Sequence, residues 1–145
     1  TFWDRATLYA FRGAFAAGET KRTIKYIKEY SERRLLGEHV PYAVEAFPEG
    51  NQRHLSAESA LYCRIITEGL FGIRPTGLNS CSISPKMPEG WNEMALRNIR
   101  SFGKIYDIEV KRIEDSLLIK VFSDDKIFLD ALITNGEKVN LELIN

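Results

Sequence analysis

Apolar positions along this chain change their period once. In "TFWDRATLYAFRGAFAAG" (1–18), Phe2, Ala6, Tyr9, Phe11 and Phe15 recur at helical spacing, and Gly18 supplies a stop. In "ETKRTIKYIKEYSERRLLG" (19–37), Ile24, Ile27, Tyr30 and Leu35 form one stripe. Arg33 and Arg34 crowd its last turn, where cations complement the helix dipole, and Gly37 follows. "SAESALYCRIITEGLFG" (56–72) predicts a third helix, N-capped by Ser56 and apolar from Ala57 to Leu70. Ala60, Leu61, Tyr62, Cys63, Ile65 and Ile66 make that helix apolar almost all round, the pattern of a helix buried on most sides. Pro75 prevents its continuation.

From residue 78 onward the period is two. Tyr106, Ile108 and Val110 alternate with Asp107, Glu109 and Lys111, and Leu117, Ile119 and Val121 follow a turn at Glu114–Asp115. Ile127, Leu129, Ala131 and Ile133 form a further run, and Val139, Leu141 and Leu143 a last one. These are antiparallel strands with one buried face each. For the last pair, a two-residue loop at Asn135–Gly136 would set Ile133 against Lys138. A three-residue loop over 135–137 sets Ile133 against Val139, Ala131 against Leu141 and Leu129 against Leu143, and is the expected register. The reading is an α+β chain: a helical segment over 1–76, then an antiparallel β-sandwich-like domain over 77–145, joined through "GIRPTGLNS". Three helices, one apolar all round, cannot hide their own surface. The expectation is a partner surface, supplied by the β-domain, by a second copy of the chain, or by the rest of a larger helical domain.

Composition removes several function classes. Twenty basic residues balance twenty acidic ones in 145, so nothing electrostatic points to nucleic acid or an anionic membrane. No apolar run approaches the roughly 20 residues of a membrane span. The chain opens on Thr1, which reads as a processed or excised segment. Cys63 is read as a core residue of the third helix and Cys81 as a strand residue, both as free thiols. His39, His54 and the two cysteines have no metal-ligand spacing, so neither metal nor cofactor is expected, and no Gly-rich phosphate loop occurs.

The chemistry gathers in "VEAFPEGNQRHLSAESALY" (44–62), a loop running into the third helix. Glu45 lies between Tyr42, Val44 and Phe47. A carboxylate enclosed by such neighbours has its pKa raised and suits a general base; the other reading is a structural carboxylate paired with Arg53 or capping a helix. Glu38 is the second candidate base, and Glu49, before Gly50, reads as a solvated turn residue or else a sugar-hydroxyl contact. Asn51, Gln52, Arg53 and His54 are four consecutive donors of the kind that read sugar hydroxyls, or that hold a loop by its own hydrogen bonds. Glu58, in the first turn of the third helix, favours the dipole. Trp3, Tyr42 and Phe47 are candidates for a stacking platform, and Trp91 for packing between helices and sheet.

Three stretches resemble the C-terminal end of the six-hairpin glycosidases, which have an (α/α)6 barrel followed by a small β-domain. "EAFPEGNQRHLSAESALY" (45–62) is similar to the last-hairpin pattern of that family, with Phe47 and Pro48 where the pattern carries Tyr and then Asp or Asn. "FGIRPTGLNSCSISPKMPEGW" (71–91) resembles the exit from the last barrel helix into the β-domain. "SFGKIYDIEVKR" (101–112) resembles a strand of that domain. The resemblance spans about residues 20–112 and implies the end of an (α/α)6 toroid. It implies an inverting carbohydrate-active enzyme in which Glu45 is the general base. Asn51, Gln52, Arg53, His54, Tyr42 and Phe47 would then contact an oligo- or polysaccharide. The general acid would come from barrel helices that this chain lacks, so the chain alone is expected to be inactive, and to self-associate if its barrel face is bare. Hydrolysis and phosphorolysis both fit, and a bacterial periplasmic or secreted setting would suit a glycan-degrading enzyme. The competing reading is a small non-catalytic carbohydrate- or protein-binding module.

Overall fold

The computed structural model describes residues 2–35, 46–47, 56–124 and 126–143. The chain is α+β and divides into two compact units, Thr1–Leu70 and Phe71–Asn145.

In the first unit, β1 (Phe2–Trp3) runs directly into α1 (Asp4–Ala16), followed by α2 (Thr20–Arg34), β2 (Ala46–Phe47) and α3 (Ser56–Arg64), which continues as a π-helical segment over Ile65–Leu70. Gly18 stops the first helix as expected, taking a left-handed φ of 85°. The buried stripe of α1 is Asp4, Leu8, Phe11 and Phe15, an i, i+4, i+7, i+11 series. Ala6 and Tyr9, expected on that stripe, are exposed. The phase was displaced because a carboxylate, Asp4, occupies the first position of the buried face. Along α2 the buried residues are Thr23, Ile27 and Tyr30, with Ile24 and Leu35 half-buried. Tyr30 meets Phe11 edge-on at 5.9 Å and stacks on Tyr62 at 6.3 Å, which links all three helices through one aromatic series.

The third helix is not apolar all round in its burial. Leu61 and Ile65 face inward, whereas Ala57, Ala60, Cys63 and Arg64 face outward. Cys63 is therefore an exposed thiol and not a core residue. An alanine or cysteine counts as apolar in a pattern but covers little area, so Leu61 and Ile65 set the buried face. In the π-helical segment Gly69 admits the Phe15 ring, whose Cδ2 lies 2.7 Å from where a Cβ at 69 would sit.

The second unit holds two antiparallel sheets. β3 (Arg74–Gly77), β4 (Ser80–Ile83) and β9 (Val139–Glu142) form one in the order β3-β4-β9. β5 (Glu93–Ser101), β6 (Lys104–Ile113), β7 (Ser116–Ser123) and β8 (Lys126–Thr134) form the other in sequence order. Pro75 sits on an edge strand, where its missing N–H leaves no inner ladder bond unmade. The alternation read over β6 and β7 holds: Tyr106, Ile108, Val110, Leu117, Ile119 and Val121 are all buried. Cys81, Ile83, Leu141 and Leu143 are the buried apolar residues of the smaller sheet and its exit, Ser82 is a buried polar one, and Met87 lies between the sheets in sequence.

The expected β8–β9 hairpin does not form. β8 pairs with β7, setting Ile133 against Leu117, while β9 pairs with β4, setting Leu141 against Cys81 and Val139 against Ile83. The turn between them is held by the segment after β4. Gly136 N–H donates to the Pro85 carbonyl at 2.8 Å, the Ser84 hydroxyl donates to the Gly136 carbonyl at 2.6 Å, and the Asn135 amide brackets Met87 N–H and C=O at 2.9 and 3.1 Å. These bonds carry the chain from one sheet to the other, so the apolar faces of β8 and β9 belong to different sheets.

A bulge in β5 supplies a local electrostatic test. Register shifts between Leu96 and Ile99, and Asn98 takes a φ of 55°. Asp107 closes the bulge, accepting Asn98 N–H at 2.8 Å and Arg97 Nη1–H at 3.0 Å. The Asn98 N–H bond, with Arg97 beside it, holds the Asp107 carboxyl below its ordinary 3.8. A depressed folded pKa contributes stability above the unfolded value that is lost as pH falls through the folded one. Asp107→Asn is therefore expected to destabilise the unit at neutral pH. The difference from wild type should shrink only below about pH 4, read by urea midpoints from pH 7 to pH 3. A difference independent of pH would remove the charge from the argument.

Candidate functional site

Among the described residues, buried charge collects at one place in the first unit, where α1 and α3 begin and α2 ends. Asp4 is the first residue of α1 and fully buried. Its Oδ1 lies 3.6 Å from Arg34 Nε in the last turn of α2. Glu58, in the first turn of α3, is also fully buried, and its Oε1 accepts Arg5 Nε–H at 2.5 Å. Both carboxylates sit at helix N-termini and Arg34 at a C-terminus, so each charge complements its helix dipole.

The balance of charges leaves polar atoms over. Both Asp4 oxygens, Glu58 Oε2 and the Tyr30 hydroxyl are buried without a hydrogen-bond partner among the described residues. Burial pushes the Asp4 carboxyl up, Arg34 and the nearby Tyr30 hydroxyl pull it back, and Glu58 pushes it up again. Tyr30 is raised well above its ordinary value, first by burial and then by the nearby Asp4, so its hydroxyl stays protonated. The neighbouring Tyr62 hydroxyl shares a 2.7 Å hydrogen bond with Ser31. Two arginines against two carboxylates make a neutral, fixed set of dipoles rather than a cation site. Among the described residues no group of three His, Cys, Asp or Glu stands close enough to hold a metal.

β1 and β2 lie beside this cluster in the chain. They pair antiparallel, Phe2 with Phe47 and Trp3 with Ala46. The ladder joins the residue before Asp4 to the residue after Glu45.

The residues singled out from sequence fall unevenly. Glu45, Tyr42, Asn51, Gln52, Arg53 and His54, with Glu38, His39 and Glu49, lie outside the described residues. Phe47 is placed by its backbone in β2. Trp3 is 57% exposed, open enough for a ring to stack on, and Trp91 is exposed rather than packed away. Glu58 does more than meet a dipole: it is an ion-pair partner of Arg5. Cys81 is buried on β4, and burial pushes its thiol up, away from reactivity. Sequence reasoning missed Asp4, Arg5, Arg34 and Tyr30 as a set. The available signal was Asp4 at the head of the Leu8, Phe11 and Phe15 stripe. A carboxylate on a buried helical face needs a cation brought from elsewhere in the fold.

In comparisons with family models, curated proteins and solved structures, none matches this chain.

Proposed function

We propose that this chain is the C-terminal part of an inverting carbohydrate-active enzyme of the six-hairpin type, with Glu45 as general base. Asn51, Gln52, Arg53, His54, Tyr42 and Phe47 are its sugar contacts. The observation that carries the reading is the element order. A helical unit is followed by a separate antiparallel two-sheet unit, with the Glu45-to-Tyr62 motif leading into the last helix before the sheets. In an inverting enzyme a base activates water on one face of the sugar while an acid on the other protonates the leaving oxygen, with the two carboxyls about 6.5–9.5 Å apart. The second carboxyl would belong to the remainder of the barrel, so the chain alone is inactive in this reading.

A second reading, a carbohydrate- or protein-binding module, draws on one observation. The outward face of α3 carries small or charged residues, and Trp3, Tyr9 and Tyr26 are the exposed large apolar residues among those described in the first unit. The natural protein distinguishes the two. An immunoblot of the source cells that reveals a band several times the 16.6 kDa of this chain supports the enzyme reading, as does release of sugar with inverted anomeric configuration by proton NMR. A band at 16.6 kDa with no sugar release, and a chain that sediments as a monomer, would replace it with the binding module.

A further inference from the structure

We infer that the outer edge of β8 is a self-association site, on which a second copy of this chain lays its own β8 antiparallel about a two-fold axis at Ala131. The inference stands apart from the enzyme reading and uses the second unit alone.

The sheet edges of that unit are β3, β9, β5 and β8. The first three carry features that discourage pairing. β3 and β9 are 4 residues long, and β3 contains Pro75. β5 is bulged at Asn98 and carries Glu93, Arg97 and Arg100. β8 has 9 residues and no proline. Its irregularity, opposite Val121 and Phe122, lies near its start, and the ladder from Leu129 to Thr134 is regular. Thr134 shows which main-chain groups of that stretch face outward. It stands opposite Ser116, yet its N–H donates to Glu137 Oε2 at 2.9 Å and its C=O accepts Glu137 N–H at 3.1 Å. Ser116 and Thr134 are thus a non-hydrogen-bonded pair, and such pairs alternate along an antiparallel ladder. Leu132 and Asp130 therefore also turn their N–H and C=O away from β7. Among the described residues nothing bonds to these groups. The Leu132 side chain is 61% exposed, and Leu129 and Ala131, on the other face, are only half-buried.

The register points to a second copy as the occupant. An axis at Ala131 sets Asp130 opposite Leu132 of the second copy, and every free N–H and C=O of both residues then finds a partner. Leu129 falls opposite Ile133 of the second copy, apolar against apolar, and the small Ala131 side chains meet on the axis. An axis at Leu132 would call on Thr134, whose main-chain groups Glu137 already holds. An axis at Asp130 would set that carboxylate opposite its own copy, like charge against like. The edge therefore complements itself about Ala131, a match that a strand of unrelated sequence has no reason to reproduce.

The test is sedimentation of the full-length protein over a range of concentrations, with Leu132→Glu and Leu132→Lys, and with Glu32→Ala on the exposed Lys28–Glu32 pair as control. Wild type and control are expected to approach twice the protomer mass when concentrated and to dissociate on dilution. Leu132→Glu places a carboxylate opposite Asp130 on both sides of the axis and should raise the dimer Kd at least about tenfold. Leu132→Lys places a cation there instead, and its Kd should stay within about threefold of wild type or fall. Amide exchange at Asp130 and Leu132 should slow about tenfold or more between dilute and concentrated wild type, while Ala131, which bonds to β7, keeps its rate. That comparison needs no variant, so it decides the matter even where a substitution impairs folding. A monomer at every concentration overturns the inference and leaves the edge to a strand of another protein. A dimer that Leu132→Glu does not weaken overturns it too, as does exchange at Asp130 and Leu132 that ignores concentration, and either result moves the contact to another surface. Equal weakening by glutamate and lysine overturns the axis at Ala131.

Discussion

Replacing Gly72 by alanine is expected to destabilise the β-unit by more than about 3 kcal/mol, among the larger losses a single methyl can cause. Two costs coincide. Gly72 has a φ of 65°, and a left-handed backbone costs a residue with a Cβ about 1–2 kcal/mol. Its added Cβ would also meet backbone rather than a side chain: Ser84 O at 2.2 Å, Ser84 C at 2.8 Å and Ser84 Cα at 3.0 Å. Ser84 cannot withdraw cheaply, because its N–H donates to the Phe71 carbonyl and its hydroxyl to Gly136. Any shift therefore reaches the turn that carries the chain from β8 to β9. Gly90 provides the comparison, with a φ of 82° and open space around its would-be Cβ. Gly90→Ala should cost only the conformational part, about 1–2 kcal/mol. Urea midpoints for the two variants, at equal m, separate backbone strain from collision. Equal losses would mean that Ser84 yields freely and that the close approach has no energetic role.

The fold was legible where one physical constraint dominates a stretch. β6 and β7 each bury one face, so Tyr106, Ile108, Val110, Leu117, Ile119 and Val121 could be read from alternation alone. The ends of α1 and α2 follow from Gly18 and from the arginines of the last turn. Legibility failed where two constraints compete. Parity along β8 and β9 says which residues face a core, but not whether the strands lie side by side or in different sheets. The bonds that decide it come from Ser84, Pro85 and Met87, some 50 residues earlier. β5 lost its alternation to the bulge at Asn98. The buried charges were harder still. Each carboxylate has a sufficient local reading: Asp4 and Glu58 both begin helices and both favour the dipole. That local reading hides the long-range one, in which α1 contributes a carboxylate to Arg34 and an arginine to Glu58. Dipole complementarity explains a charge at a helix start but not its complete removal from water, and the excess burial is what marks the cluster.

In the full-length enzyme proposed above, Glu45→Gln is expected to lower turnover by about 10²–10⁴-fold, the share of the rate that a positioned general base supplies. The substitution keeps size and shape and removes only the proton acceptor. Substrate affinity should change little, since sugar contacts are assigned to Asn51, Gln52, Arg53, His54, Tyr42 and Phe47. Thermal unfolding should be near wild type for the same reason. The loss should therefore appear in kcat at constant KM, the pattern of a group needed only in the transition state. The acidic limb of the pH profile should also vanish, because that limb reports protonation of the base. Glu38→Gln, run in parallel, distinguishes the second candidate. If it abolishes turnover while Glu45→Gln is near wild type, the base moves to residue 38 and the alignment of the motif shifts with it. If both variants turn over normally, neither carboxylate activates water, and the hydrolytic reading of this segment falls. The binding module then remains, and the four donors from Asn51 to His54 are left to serve recognition rather than catalysis.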